Sequence, residues 1–206
     1  MDEFNWISFL ENTSQKVIES YIKARSRDDF TDWLWEEVTP ERVKSGWLGF
    51  PGASEETIRA HEIRLGLSLP ESYQNFLKIT NGWPEYPNML KLLPVDKIDY
   101  LYKLENKKWI DEWIRIHQQH ISPTSDENYL IYTKNIYQPL RTEYLKYAIQ
   151  ISENVENDIF LLNPKIKHND EWEAWIFSCR TPGAIRYRTF QDMCQSIKFL
   201  DMWSDV

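Results

Sequence analysis

The stretch GASEETIRAHEIRLGLSLPESYQNFLKITNGW, residues 52–83, decides the fold because it predicts two consecutive helices. Ser54 is a favoured N-cap for the first helix, and Gly66 takes the left-handed position that commonly ends one. Pro70 suits the first position of the second helix. The buried face of that helix recurs at helical spacing and comprises Tyr73, Phe76, Leu77 and Thr80. Each of these residues therefore has a structural role.

The residues before this stretch predict a helical extension. Residues 4–24 carry apolar side chains at helical spacing, which favours one or two amphipathic helices. Residues 28–41 mix many acids with another helical stripe, which comprises Phe30, Trp33, Leu34, Trp35 and Val38. Two interpretations of these acids stay open, a solvated helix face or, less commonly, a partner-binding face. We expect residues 1–45 to form a helical extension that packs on the core formed by residues 46–206.

After residue 83 the apolar pattern shifts toward a period of two, apart from a predicted helix at residues 105–120. The β-rich runs, separated by polar turns, are residues 89–95, 98–102, 129–133, 145–152, 158–164, 172–178 and 184–188. The spacing of residues 145–152, 158–164 and 172–178 is typical of an antiparallel meander. A terminal helix follows, with a stripe of Phe190, Met193, Cys194, Ile197 and Leu200. The predicted fold class is α+β, a single domain with a mixed or antiparallel sheet flanked by helices.

The composition favours a protein partner over nucleic acid. The chain of 206 residues has a formal net charge of −8, and such a protein repels phosphate backbones. Its field attracts basic partners instead, although mild acidity also simply keeps a protein in solution. Aromatic residues make up 15% of the chain and include 10 Trp, which suits both a core of large flat side chains and a binding surface.

We expect a cytoplasmic protein. The first residues, MDEFNWISFLEN, begin with acids and lack the basic start and long apolar run of a signal peptide. No run approaches the roughly 18 apolar residues that a membrane span requires. Two cysteines are too few for a disulfide framework.

The sequence offers weak candidates for catalysis or metal binding. His117 and His120 lie three residues apart on a predicted helix, but no cysteine or carboxylate with zinc-site spacing accompanies them. Glu171 and Glu173 fall on one face of a predicted strand, where they suit either an acid/base pair or, more commonly, a solvent-facing position. We therefore predict no catalytic residue, no cofactor and no metal site.

Two blocks of the sequence carry a family resemblance. Residues 52–83 contain Glu62, Leu65-Gly66, Leu69-Pro70, Ser72-Tyr73, Phe76-Leu77 and Asn81-Gly82 in the order of a known signature. Residues 151–164 and 171–190 form the second block. Together they closely resemble the SUKH superfamily, the group of the yeast cell-wall synthesis regulator Smi/Knr, over residues 46–203. The run CRTPGA departs from bacterial relatives, which usually have a tryptophan shortly before Pro-Gly-Ala.

The resemblance implies an α+β fold with flanking helices and a role in protein binding. Bacterial members are immunity proteins that bind and block a cognate toxin, often a nuclease, whereas fungal members act as interaction hubs in cell-wall signalling. The resemblance brings no catalytic residues onto this chain. A regulatory adaptor is therefore the alternative to an immunity protein.

We predict one candidate patch for binding a basic toxin domain. Its aromatic anchors are Trp83, Tyr86 and Trp172, with acids around them at Glu85, Glu171 and Glu173. The same tryptophans also suit a place in the core, so both interpretations stay open.

Overall fold

The computed structural model describes residues 4–28, 30–86, 89–120, 124–133, 137–181 and 183–196. Its α-helices are α1 (Trp6–Arg25), α2 (Pro40–Ser45), α3 (Glu55–Leu65), α4 (Glu71–Ile79), α5 (Leu101–Leu104), α6 (Lys107–His120), α7 (Asp126–Tyr129) and α8 (Phe190–Ser196). Two short 3-10 helices span Asp32–Trp35 and Thr142–Tyr147. The strands are β1 (Asp99–Tyr100), β2 (Tyr137–Gln138), β3 (Ile149–Gln150), β4 (Asp158–His168), β5 (Glu171–Ser178) and β6 (Ala184–Tyr187).

The strands form one six-stranded sheet in the order β1-β3-β4-β5-β6-β2. All neighbouring pairs are antiparallel, which confirms the predicted α+β class. The long hairpin β4–β5 lies at the centre, while both edge strands have only two residues. Short edges offer few unpaired backbone groups, so they protect the sheet from pairing with another chain.

Local signals explain how the central hairpin and its neighbours form. Asn169 and Asp170 connect β4 to β5 with φ values of 51° and 67°, the left-handed pair that a tight two-residue hairpin turn requires. The ladder shifts its register between Asn163 and Lys167, around Pro164, which has no N–H to donate. The strand predictions for residues 158–164 and 172–178 are therefore confirmed.

Helical layers cover both faces of the sheet. On one face α1, α4 and α8 share a core with Phe160 and Leu162, and Trp6 of α1 stacks on Phe190 of α8 at 5.6 Å. On the other face α5, α6 and the Thr142–Tyr147 turn pack on Ile159, Leu161, Trp175 and Phe177. Since neighbouring residues of a strand point to opposite faces, β4 and β5 are buried along most of their length.

Polar side chains cap several helices, and both ends of α3 follow the prediction. Asn5 accepts a hydrogen bond from the Ser8 N–H at 3.0 Å and begins α1, which is one continuous helix. Ser54 accepts from the Thr57 N–H at 3.1 Å, and Gly66 ends α3 with φ of 72°. Thr39 caps α2 in the same manner. None of the helices among the described residues is both long enough and apolar enough to cross a membrane.

One predicted strand is wrong, and two others are much shorter than predicted. Residues 129–133 do not form a strand, because Tyr129 ends the helical turn α7 and the next four residues are irregular. Residues 98–102 contribute only β1 before α5 begins, and residues 145–147 belong to a 3-10 helix. The predicted helical stripe of residues 28–41 contains a short 3-10 helix, Asp32–Trp35. Ile197 and Leu200 of the predicted terminal stripe lie outside the described residues.

Candidate functional site

Most of the predicted partner-binding patch lies inside the protein. Trp83 is 0% exposed, and Tyr86 and Trp172 are also buried in the core that α1, α4 and α8 share. The core interpretation of the two tryptophans therefore describes this structure, and in it they offer no surface to a partner. Glu85 is the exposed member of the patch. Its contact with a partner stays a prediction.

Glu171 has a structural partner on α4. One of its carboxylate oxygens accepts a hydrogen bond from the Ser72 N–H at 2.8 Å, and the other accepts from the Ser72 hydroxyl. Ser72 lies in the first turn of α4, where backbone N–H groups have no partner within the helix. Pro70, at the N-cap, supplies no side-chain cap, so Glu171 caps this helix from the sheet.

Glu173 is fully buried, so its predicted solvent-facing position is wrong. One carboxylate oxygen accepts hydrogen bonds from Tyr132 Oη at 3.1 Å and Arg186 Nη1 at 3.2 Å. The other accepts from Tyr129 Oη at 3.3 Å and Asn163 Nδ2 at 2.8 Å. We call these five residues the Glu173 network. The physical reason for the burial is that Tyr129 of α7 and Tyr132 after it lie against this end of β5, where water was expected.

Arg186 completes the Glu173 network. Its guanidinium donates to the backbone carbonyls of Tyr129 and Ile131 and stacks over the Tyr129 ring at 3.8 Å. Arg186 and Glu173 have side-chain exposures of 2% and 0%, so this ion pair is shielded from water. A buried charge of this kind is tolerated only when it is paired and hydrogen-bonded. The network therefore fixes residues 129–132 against the sheet.

Burial and nearby charges shift the pKa values of residues in the Glu173 network and of the neighbouring His168. Burial raises the pKa of Glu173, and the charge of Arg186 opposes that rise. Burial and the nearby Glu173 carboxylate raise the pKa of Tyr132. His168 Nε2 lies 2.7 Å from Tyr132 Oη, and burial together with Arg188 lowers the pKa of this histidine.

A buried carboxylate with a shifted pKa is a frequent mark of an active site, but here protein groups occupy both of its oxygens. Glu171 and Glu173 also take their partners from different parts of the chain, Ser72 of α4 and the tyrosines at positions 129 and 132. The structure therefore does not assemble them into an acid/base pair. The network instead connects residues 129–132 to strands β5 and β6.

The two histidines that were considered as metal ligands lie in different environments. His117 is buried and stacks on Trp113 with ring centroids 4.7 Å apart, whereas His120 is exposed at the end of α6. Burial lowers the pKa of His117. Within the described ranges, no group of three or more His, Cys, Asp or Glu side chains is arranged to hold a metal ion.

A cleft with a volume of about 470 Å³ lies between the C-terminal end of α1 and the segment that leads to α2. We call it the aromatic cleft. It is lined by Tyr21, Phe30, Asp32, Trp33, Trp35, Glu36, Val38, Thr39 and Pro40. Trp33 is 72% exposed, an unusual position for so large an apolar side chain. The sequence showed these acids and aromatic residues together, but the predicted helix placed Trp33 on its buried face.

Comparison with known proteins identifies the family of the central and C-terminal parts of the chain. Residues 52–196 match the sequence model of the SMI1 / KNR4 family (SUKH-1). This range holds the sheet, the Glu173 network and helices α3 to α8, whereas the aromatic cleft precedes it. A search of curated proteins found no match.

Proposed function

Because the chain belongs to the SMI1 / KNR4 family (SUKH-1), we propose that it is a bacterial immunity protein that binds a basic toxin domain and blocks it without a reaction of its own. The family match over residues 52–196 carries this proposal, since SUKH domains are commonly immunity proteins. A nuclease domain is a fitting toxin, because a protein that binds nucleic acid is commonly basic.

The charge of the chain supports the same proposal. A net charge of −8 attracts a basic domain and raises its association rate, an effect that salt weakens by screening. Exposed Glu85 contributes at one place, since it adds to the negative potential around Lys91. Lys91 itself is paired with Glu37 at 2.8 Å and with Glu153 at 3.8 Å.

The test is co-expression with toxin domains encoded beside this gene, followed by titration of the purified toxin. We expect rescue of growth, co-purification, and toxin activity that falls in proportion to added protein and ends at one equivalent. Inactivation by much less than one equivalent would show turnover and contradict binding alone. Failure of rescue and of co-purification for every neighbouring toxin would remove the basis of the proposal. Recovery of a signalling protein instead would favour the adaptor alternative.

Electrostatic steering has its own test. Glu85→Gln is expected to slow association at low salt and to leave the dissociation rate nearly unchanged, because a charge at an interface rim acts mainly on encounter. Glu11→Gln is the matched control, since it removes the same charge from an exposed position of α1. Equal effects of the two substitutions would show that only net charge matters and that Glu85 has no special place.

A further inference from the structure

The aromatic cleft presents aromatic rings and negative charge together. Tyr21 contacts Phe30 and Trp35 with ring centroids 6.0 Å and 5.7 Å apart, so three rings form one wall. Trp33 extends into solvent beside them. A volume of about 470 Å³ falls within the range of about 300–1,000 Å³ that is usual for binding pockets.

Neighbouring contacts hold the cleft in shape before any partner arrives. Val38 in its lining is buried in the core, and Thr39 accepts a hydrogen bond from the Arg42 N–H at 3.4 Å. Glu37 lies between the cleft residues Glu36 and Val38 and binds Arg42 at 2.9 Å and Lys91 at 2.8 Å. A site that is already ordered loses less entropy on binding.

Glu37 forms ion pairs, whereas the carboxylates of the cleft form none with the described residues. Asp32 and Glu36 are exposed, and neither pairs with a lysine or arginine among the described residues. The residues that the structure assigns to the lining include these two acids and no basic side chain. Aromatic faces with unpaired carboxylates attract a cation, and an apolar partner would leave both charges without a counterion.

We propose that the aromatic cleft binds an arginine side chain of the partner protein. A planar guanidinium stacks on Trp33 or Trp35 and reaches Asp32 or Glu36 with charged hydrogen bonds, which a compact lysine ammonium does less well. Within the protein, Arg25 already lies over Tyr21 at 6.0 Å, so the faces offered to a partner are those of the tryptophans. The cleft precedes residue 52 and therefore lies outside the part matched to the family.

The proposal rests on the proposed function for its basic partner, and it is tested without that partner. Two blocked peptides, Gly-Arg-Gly and Gly-citrulline-Gly, differ in charge and have nearly the same shape. They are titrated into the ¹⁵N-labelled full chain, and the indole N–H signal of Trp33 is assigned from its loss in Trp33→Phe. We expect a saturable shift with a dissociation constant on the order of 1 mM for the arginine peptide, and at least about tenfold weaker binding of the citrulline peptide.

Substitutions in the cleft test whether Asp32 and Glu36 bind the arginine peptide. Asp32→Asn combined with Glu36→Gln is expected to weaken the arginine peptide by about tenfold or more, whereas Glu11→Gln on α1 leaves its binding unchanged. A third peptide, blocked Gly-Lys-Gly, keeps the charge without the planar group. No shift of the Trp33 signal, equal binding of the arginine and citrulline peptides, or equal binding of the arginine and lysine peptides would overturn the assignment. These outcomes leave toxin neutralisation untouched. Failure of neutralisation with intact peptide binding would instead refute the proposed function and keep the arginine site.

Discussion

Replacing Arg186 by Met tests how much the Glu173 network contributes to stability. Methionine keeps a long unbranched side chain but removes the positive charge that pairs with Glu173. It also removes the donors to the backbone carbonyls of Tyr129 and Ile131. Breaking one partner of a buried ion pair typically costs about 3–5 kcal/mol. We therefore expect Arg186→Met to lower the free energy of unfolding by about that amount.

Urea unfolding followed by tryptophan fluorescence measures this loss as a lower transition midpoint at an unchanged slope. Arg115→Met is the control, because Arg115 forms a 2.6 Å ion pair with Glu112 in which both side chains are 55% exposed. Exposed pairs contribute little, since water and salt screen them. The control midpoint is therefore expected to stay at the wild-type value. Equal midpoints for the two variants would refute the reasoning from burial.

The pH dependence of the Arg186→Met loss gives a second measurement. Burial raises the pKa of Glu173 in the folded protein, and removal of the opposing Arg186 charge raises it further. A carboxyl whose folded pKa exceeds its unfolded value binds more protons when folded, so stability falls as pH rises between the two values. The loss in Arg186→Met is therefore expected to be larger at pH 8 than at pH 5. A loss that is independent of pH would show that Glu173 does not respond to Arg186.

Three further predictions concern stability. Burial lowers the pKa of His117 in the folded state, so the unfolded state takes up a proton first and the free energy of unfolding falls as pH drops below about 6.5. His117→Gln is expected to make the urea midpoint less dependent on pH, whereas the control His120→Gln keeps the wild-type dependence. A Cβ atom at Gly52 would lie 1.9 Å from the Lys78 carbonyl oxygen, whereas one at Gly66 would meet no neighbour. Gly66→Ala is expected to cost about 1 kcal/mol because of the left-handed backbone there. Gly52→Ala is therefore expected to lower the melting temperature more than Gly66→Ala. Glu171→Ala removes the cap of α4 and is expected to lower the free energy of unfolding by about 1 kcal/mol, measured by urea unfolding, while toxin affinity stays unchanged. Lower toxin affinity at unchanged stability would show instead that Glu171 contacts the partner.

The parts of the fold that the sequence predicted well depend on local chemistry. Ser54 and Gly66 bound α3 because capping involves only residues within one turn of the helix. The two strands of the central hairpin were predicted from two apolar runs with a polar turn between them, and in the structure Asn169 and Asp170 of that turn tolerate the left-handed backbone. Such signals lie within a few residues of one another, so they can be read without knowledge of the tertiary structure.

The errors arose where distant residues decide the outcome. Residues 129–133 have the composition of a strand, yet the carbonyls of Tyr129 and Ile131 accept from the Arg186 side chain, more than 50 residues away. Glu173 was assigned to solvent because nothing near it in the sequence indicates that Tyr129 and Tyr132, about 40 residues earlier, cover its carboxylate. Trp33 was placed on a buried helical face, but a 3-10 helix has three residues per turn and so directs its side chains differently.

The arrangement of the sheet limits where a partner can bind. Helical layers bury both of its faces, and its edges are two-residue strands, so strand addition at an edge offers few backbone hydrogen bonds. Aromatic anchors at Trp83 and Trp172 would require the core to open, which is a large cost for a marginally stable domain. Trp33 presents its aromatic surface at no such cost, beside Asp32 and Glu36, which form no ion pair with any residue that the structure describes. We therefore expect a partner that is chosen by charge and by one inserted side chain to contact the aromatic cleft.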